Sequence, residues 1–263
     1  MLITIKSKIK IQKCGLILNF IWQVLFPVLT VLTIEGLSVE YIWNKQTIQS
    51  LEISNKVYFS QLKTFCHRNC DTLVNVFPSN MLPVLQNLEM LEVRNCPSLI
   101  LLAEDFNPNI QNPTIKSKFN DVFPKLKHLV LVNLPKLMKT WLSDEDYYSC
   151  DNFVNLYLKR ISIRGCGSLR HAFSAFVARH LVRIQYLYIE SCLGMEVIVS
   201  EVRREGKIDD GTIKFNELEK LWLVDLPNLR SFYESKSEAP CLFNYQVRIL
   251  PTLLLDIYNQ NKK

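Results

Sequence analysis

The chain has 263 residues, of which 48% are hydrophobic, so it can bury a substantial core and is too apolar to be a disordered chain. Glycine is scarce, with 7 in the chain, which argues against enzymes built on phosphate-cradling loops. The net charge of +6 comes from 31 Lys+Arg against 25 Asp+Glu, but the placement matters more. Lys6, Lys8, Lys10 and Lys13 precede every acid and Lys262 and Lys263 end the chain. These six account for the whole excess and leave the body balanced, which argues against a nucleic-acid binder.

Residues 1–25 show no repeat and read as an irregular N-terminal cap. The alternative is a hydrophobic segment, because four lysines precede Cys14-Gly-Leu-Ile-Leu-Asn-Phe-Ile-Trp-Gln-Val-Leu-Phe26. Val28–Ile34 would extend that stretch to membrane-spanning length. Those same residues, however, begin a repeat line, Phe26-Pro-Val-Leu-Thr-Val-Leu-Thr-Ile-Glu-Gly-Leu37, followed by Ile42-Trp43. Asn19, Gln23 and Pro27 also weaken a span, so membrane association is disfavoured.

From residue 26 to 245 one line recurs: Phe-x-x-Leu-x-x-Leu-x-Leu-x-x-(Cys or Leu)-x-x-Leu. It is clearest in Phe123-Pro-Lys-Leu-Lys-His-Leu-Val-Leu-Val-Asn-Leu-Pro-Lys-Leu137 and Phe215-Asn-Glu-Leu-Glu-Lys-Leu-Trp-Leu-Val-Asp-Leu-Pro-Asn-Leu229. Equivalent anchors are Leu32, Phe65, Leu91, Leu129, Ile161, Leu187 and Leu221, separated by 33, 26, 38, 32, 26 and 34 residues. Regular leucine-rich repeats run to about 20–29 residues, so loops interrupt these. The alternating leucines of Leu129-Val130-Leu131 share one face of a strand. Each strand lies beside its counterpart in the next coil. Leu137 and Trp141 then close the coil from the other side. No coil buries its own face; about seven stacked coils do. The expected fold is an α/β solenoid, a horseshoe with a parallel β-sheet on its concave face and irregular or short helical turns on its convex face. Residues 246–263 form a C-terminal cap or tail.

Cys70, Cys96, Cys166 and Cys192 occupy the position filled by Leu37, Leu134 and Leu226 elsewhere, and read as small buried hydrophobes. Cys14, Cys66, Cys150 and Cys241 do not fit that column. With no CxxC and no usable N-x-S/T sequon, a reducing cytoplasmic setting is favoured. His67 stands where a strand leucine belongs, which implies a degraded coil or a local register slip. A Cys66/His67/Cys70 metal site is the disfavoured alternative, since Cys70 is already accounted for. G-x-S-x-G, H-E-x-x-H and nucleotide-binding fingerprints are absent. A Cys166/His171/His180 nucleophile site is weighed against the core position of Cys166 and rejected. Neither catalysis nor a cofactor, metal or small-molecule substrate is expected.

Three stretches carry a family resemblance: Leu88-Glu-Met-Leu-Glu-Val-Arg-Asn-Cys-Pro-Ser-Leu99; Gly167-Ser-Leu-Arg-His-Ala-Phe173 with Leu181-Val-Arg-Ile-Gln-Tyr-Leu-Tyr-Ile-Glu-Ser-Cys192; and Leu226-Pro-Asn-Leu-Arg-Ser-Phe232. They resemble the C-terminal leucine-rich repeats of coiled-coil nucleotide-binding plant disease-resistance proteins. The resemblance implies a defence-related interaction module that binds a pathogen effector, or a host or intramolecular partner. No G-x-x-x-x-G-K-S/T motif is present, so the reading is of a truncated receptor without the nucleotide switch. The alternatives are the substrate-recognition half of a ubiquitin-ligase adaptor and a membrane-anchored repeat protein.

Strand residues between the buried leucines face the concave side. There Tyr186, Tyr188 and Trp222 cluster beside Arg160 and Arg164, with Arg68 and Arg94 stacked earlier. Aromatic and arginine side chains are enriched at binding hot spots, so these seven form the candidate protein-binding face. The polar insertions Asn107–Asn120, Ser143–Asp151, Arg203–Thr212 and Ser235–Pro240 form a second candidate surface.

Overall fold

The computed structural model describes residues 8–12, 29–38, 59–77, 85–103, 123–140, 157–200 and 213–234. Eight strands form one parallel sheet: β1 (Lys8–Gln12), β2 (Val31–Glu35), β3 (Thr64–Arg68), β5 (Met90–Arg94), β7 (His128–Val132), β8 (Arg160–Arg164), β10 (Tyr186–Glu190) and β12 (Lys220–Val224), in that spatial order. The remaining strands, β4 (Asn75–Phe77), β6 (Leu101–Ala103), β9 (His171–Ser174), β11 (Val197–Ser200) and β13 (Ser231–Glu234), lie outside this sheet. They make two smaller parallel sheets, β4-β6 and β13-β11-β9. The repeats thus form a solenoid with strands on both sides of the core. One short helix, α1 (Ala175–His180), follows β9 and is capped by Ser174, whose hydroxyl accepts from the Val177 N–H.

All seven expected anchors fall in one register. Leu32 pairs with Phe65, Phe65 with Leu91, Leu91 with Leu129, Leu129 with Ile161, Ile161 with Leu187, and Leu187 with Leu221. Two residues on, Ile34, His67, Val93, Leu131, Ile163, Ile189 and Leu223 form a second inward column by the same pairings. β1 adds a strand in front of β2, within the segment expected to be an irregular cap or hydrophobic segment. Val31–Ile34, which would have lengthened a membrane span, is instead part of β2. Among the described residues no helix is long and apolar enough to cross a membrane.

From β2 to β12 each strand of the main sheet is followed by a left-handed residue. Gly36, Asn69, Asn95, Asn133, Gly165, Ser191 and Asp225 all have φ between 52° and 66°. Gly, Asn and Asp tolerate this conformation best, and it turns the chain off the sheet into the core. Each backbone N–H at the first six of these corners donates to the strand-end carbonyl of the next coil, at 2.8–3.0 Å. The asparagines add a side-chain ladder. Asn133 donates to Asn95 and Asn95 to Asn69, both at 2.9 Å, and Asn69 donates to Glu35 at 3.3 Å. Gly165 ends the ladder, because a Cβ there would meet Asn133 Oδ1 at 2.7 Å.

After the corner the chain dives inward. Leu37, Cys70, Cys96, Leu134, Cys166 and Cys192 are buried in one column, and Leu226 is half-buried at its end. The thiols are reduced and each donates to the carbonyl two residues back, as from Cys70 to Arg68 and Cys166 to Arg164. Cysteine fits here because it is compact and can satisfy that carbonyl, whereas leucine only fills space.

His67 causes no register slip: it pairs with Ile34 and Val93 and is fully buried. It stacks edge-on with Phe65 at 4.7 Å between centroids, and neither ring nitrogen has a hydrogen-bond partner. Burial lowers its pKa below the ordinary 6.5. Period two sends Cys66 and His67 to opposite faces, so the two do not converge on one metal. Among the described residues no group of three or more His, Cys, Asp or Glu is placed to hold one.

Two outcomes follow. Leu129→Ala, at the centre of the stack, should cost about 2–5 kcal/mol, and Leu221→Ala, in the last strand, should fall at the lower end of that range. Chemical denaturation of both variants checks the order. His67→Leu should stabilise the fold by roughly 1–3 kcal/mol, because two orphaned polar atoms leave the core. The unfolded chain takes up a proton at this residue as pH falls below 6.5, while the folded chain resists it to a lower pH. The wild-type His67 contribution is therefore lost as pH drops through that window. Between pH 7 and pH 5 the variant should lose less stability than the wild type; equal losses would overturn the assignment.

Candidate functional site

The concave face is built from the alternate residues of the main strands. In its C-terminal part, β8, β10 and β12 bring five of the seven candidate residues together. Tyr188 and Trp222 are paired across β10 and β12, and their rings stack at 5.5 Å with planes 9° apart. Parallel in-register strands force this, since side chains at paired positions stand side by side at about the strand spacing of 4.8 Å. The Arg164 guanidinium lies over the other side of Tyr188, 5.3 Å from its centroid. Tyr188 is thus held between a cation and an indole. Arg164 is anchored in turn by Glu190, 2.6 Å away. Trp222 remains 49% exposed, unusual for the largest side chain on a folded surface.

A second row runs beside the first. Arg160 sits over Tyr186 at 4.6 Å, and the Tyr186 hydroxyl donates to Glu219 at 2.6 Å. The accepting carboxylate holds the Tyr186 phenol above its usual range, so it stays a donor at neutral pH. Lys220 occupies the register position on the far side of Tyr186 from Arg160.

Arg68 and Arg94 are not part of this cluster. They are paired with each other on β3 and β5, and β7 separates them from Arg164. Both close on the Glu92 carboxylate, at 2.7 Å and 2.8 Å. Glu92 is 4% exposed, although its strand position faces the concave side. Its flanking partners in the register, Cys66 and Val130, are short, so the carboxylate lies down between them and is covered by the two arginines. Sequence reasoning missed Glu92, Glu190 and Glu219, which hold the arginines and Tyr186 in place. The available signal was their register: Glu92 lies on the strand of Arg94, two residues before it and on the same face, and Glu190 lies directly opposite Arg164.

Upstream of the strands, Lys127 and Lys63 share Glu89, at 2.7 Å and 3.8 Å. The hydrogen bond from Lys127 holds the Glu89 carboxyl below its usual range. His128 is lowered by partial burial and then by the nearby Arg160, Lys127 and Lys159, which disfavour its charged form.

The buried thiols are shifted in both directions: hydrogen bonding with Cys96 lowers the Cys70 pKa to about 4, and hydrogen bonding with Cys166 lowers that of Cys192. The neighbouring Cys192 thiol and burial hold Cys166 well above the usual range, and burial followed by Glu92 pushes Cys66 up. The insertions at Asn107–Asn120, Ser143–Asp151, Arg203–Thr212 and Ser235–Pro240 lie outside the described residues, as do Trp141, Cys14, Cys150, Cys241 and the C-terminal segment 246–263.

Stacked in-register coils with an alternating leucine line define a leucine-rich-repeat domain, a class that generally mediates protein–protein contacts. A family model described as "Plant disease resistance protein RPS2-like, leucine-rich repeats" matches residues 29–193, well over half of the chain. The chain belongs to that family. Among solved structures, the leucine-rich repeat domain of the type III effector XopL is similar at 17% identity and a TM-score of 0.39, covering 86% of this chain and 76% of that one. A comparison with curated proteins finds no match.

Cys66, Cys70, Cys96, Cys166 and Cys192 should resist a thiol reagent under native conditions and label fully after denaturation. Peptide mapping by mass spectrometry reads each site separately. Fast native labelling of Cys166 would show that its coil opens or that its thiol is activated.

Proposed function

We propose that the chain is an interaction module of plant defence, working in the cytoplasm. In this reading its concave face at β8, β10 and β12 takes a polypeptide partner, either a pathogen effector or a host protein. The observation behind it is the Tyr188–Trp222 stack, which leaves a large aromatic surface open to solvent while its backbone and neighbours are fixed. An exposed indole on a rigid strand, backed by an anchored arginine, meets the general description of a hot spot. Family membership supports the defence role, and the leucine-rich-repeat fold supports the interaction role. The Arg68–Glu92–Arg94 group extends the face toward the N-terminal coils. Its arginines are held in one geometry, so they lose little freedom on binding.

The test is a two-hybrid screen of a plant library followed by retesting of the partners against variants. Trp222→Ala and Tyr188→Ala should weaken binding by roughly thirtyfold or more, corresponding to about 2 kcal/mol. Melting should be little changed, because the stack itself is worth only about 0.5–1.5 kcal/mol. Alanine changes in Arg203–Thr212 serve as the comparison. Loss of binding in those variants with none in the aromatic pair would move recognition to the insertions.

A further inference from the structure

Resting on that reading of the concave face, we infer that the partner segment is acidic, presenting carboxylates on either side of an aromatic or aliphatic anchor. The argument is one of charge pairing. Eight cations line or border the face: Lys63, Arg68, Arg94, Lys127, Lys159, Arg160, Arg164 and Lys220. Five are already committed: Lys63 and Lys127 to Glu89, Arg68 and Arg94 to Glu92, and Arg164 to Glu190. The other three, Lys159, Arg160 and Lys220, have no carboxylate partner among the described residues. They are adjacent rather than scattered, lying on β8 and β12 or just before β8, on the two sides of Tyr186. Glu219, next to Lys220 in sequence, accepts from the neutral Tyr186 hydroxyl and keeps its charge, so it offsets one of the three.

The surplus charge therefore surrounds the exposed aromatic surface. Arg160 and Lys220 are two strand spacings apart, about 10 Å. Trp222 stands beside Lys220 and two residues further along the strand direction. A polypeptide crossing the strands meets one cation, Tyr186 and the second cation, while an apolar side chain settles on Trp222. Arg160 is steered and pre-oriented by Tyr186, so a carboxylate meets a fork that is already in place. A nucleic-acid strand would also be drawn to cations beside stacked aromatics. The carboxylates Glu89, Glu190 and Glu219, interspersed on the same face, oppose a continuous phosphate backbone and favour a peptide with isolated acids.

The experiment selects from a phage-displayed library of random dodecapeptides on the full-length chain, immobilised as wild type, Trp222→Ala, and the double variant Arg160→Glu with Lys220→Glu. Wild-type selections should be rich in Asp or Glu within a few residues of Trp, Phe or Leu. A selected synthetic peptide should bind at least about tenfold more weakly to the double variant. It should weaken similarly when its acids are replaced by amides, and lose affinity as salt rises. Arg160→Lys, which keeps the charge but loses the planar fork over Tyr186, should fall between the wild type and the double variant, which separates charge from fork geometry. If selected peptides depend on Trp222 but carry no acidic excess, the charge inference is overturned and the concave-face reading stands. Peptides indifferent to Trp222→Ala would overturn the concave-face reading itself. Absence of enrichment, or tighter binding of an oligouridylate than of the selected peptide, would overturn the acidic-partner inference.

Discussion

Each coil leaves the sheet through one residue in the left-handed conformation, and the geometry of the whole solenoid depends on that corner. The seven corners carry Gly, Asn, Ser or Asp, the types for which a positive φ costs least or is compensated locally. The corner does two things at once. It points the next residue into the core, which places Cys70, Cys96, Cys166 and Cys192 in the leucine column. It also aims its own N–H at the strand-end carbonyl of the following coil, so the hydrogen-bonded ladder continues past the last strand residue. A β-branched side chain at a corner would break both functions. Unequal repeat lengths are tolerated because the inserted residues lie between corner-and-strand units and never inside one.

The core shows how much variation that frame accepts. Phe65 replaces leucine in the first inward column, and it packs against Phe77, which in turn meets Phe123 two coils on. The larger ring shares its coil with His67, whose imidazole takes the place that Leu131 fills two coils on. The coil keeps its register because the backbone ladder on both sides holds the strand. The unsatisfied nitrogens of His67 are a local cost borne by a stack stabilised along its whole length. Among the described residues it is the one inward position of the main strands where chemistry departs from the pattern.

Period two and the repeat line were sufficient to read most of this from the sequence. The seven anchors, the cysteine column and the Tyr188–Trp222 neighbourhood all follow from counting residues along equivalent lines. Three features were not legible. β1 lacks the leucine line, and its alternating Lys8-Ile9-Lys10-Ile11-Gln12 is too short to mark a coil until pairing with β2 places it. The outer strands, such as β11 in Val197–Ser200, arise because neighbouring coils run parallel there too, a consequence of stacking rather than of any local motif. Glu92 was missed because strand position predicts the face and not the depth. A charged side chain between two short neighbours and under two arginines becomes buried while still on the concave side, and only the three-dimensional arrangement reveals it.

That same arrangement explains how a repeat domain separates stability from recognition. Inward residues of each strand are constrained by coils on both sides, and outward residues are constrained only by their neighbours on the face. Evolution of a binding surface can then proceed without disturbing the core. The cost is that outward side chains are loose unless something orders them. Here the ordering comes from within the face: Glu190 fixes Arg164, Arg164 and Trp222 enclose Tyr188, and Glu219 fixes Tyr186 beneath Arg160. Each of these contacts is weak at an exposed site, worth about 1 kcal/mol or less. Their effect is to lower the entropy lost when a partner arrives, because the aromatic and cationic groups already hold one geometry. The surface is therefore ordered for reasons independent of the leucine core, and on the proposed reading of this face substitutions there act on binding rather than on folding.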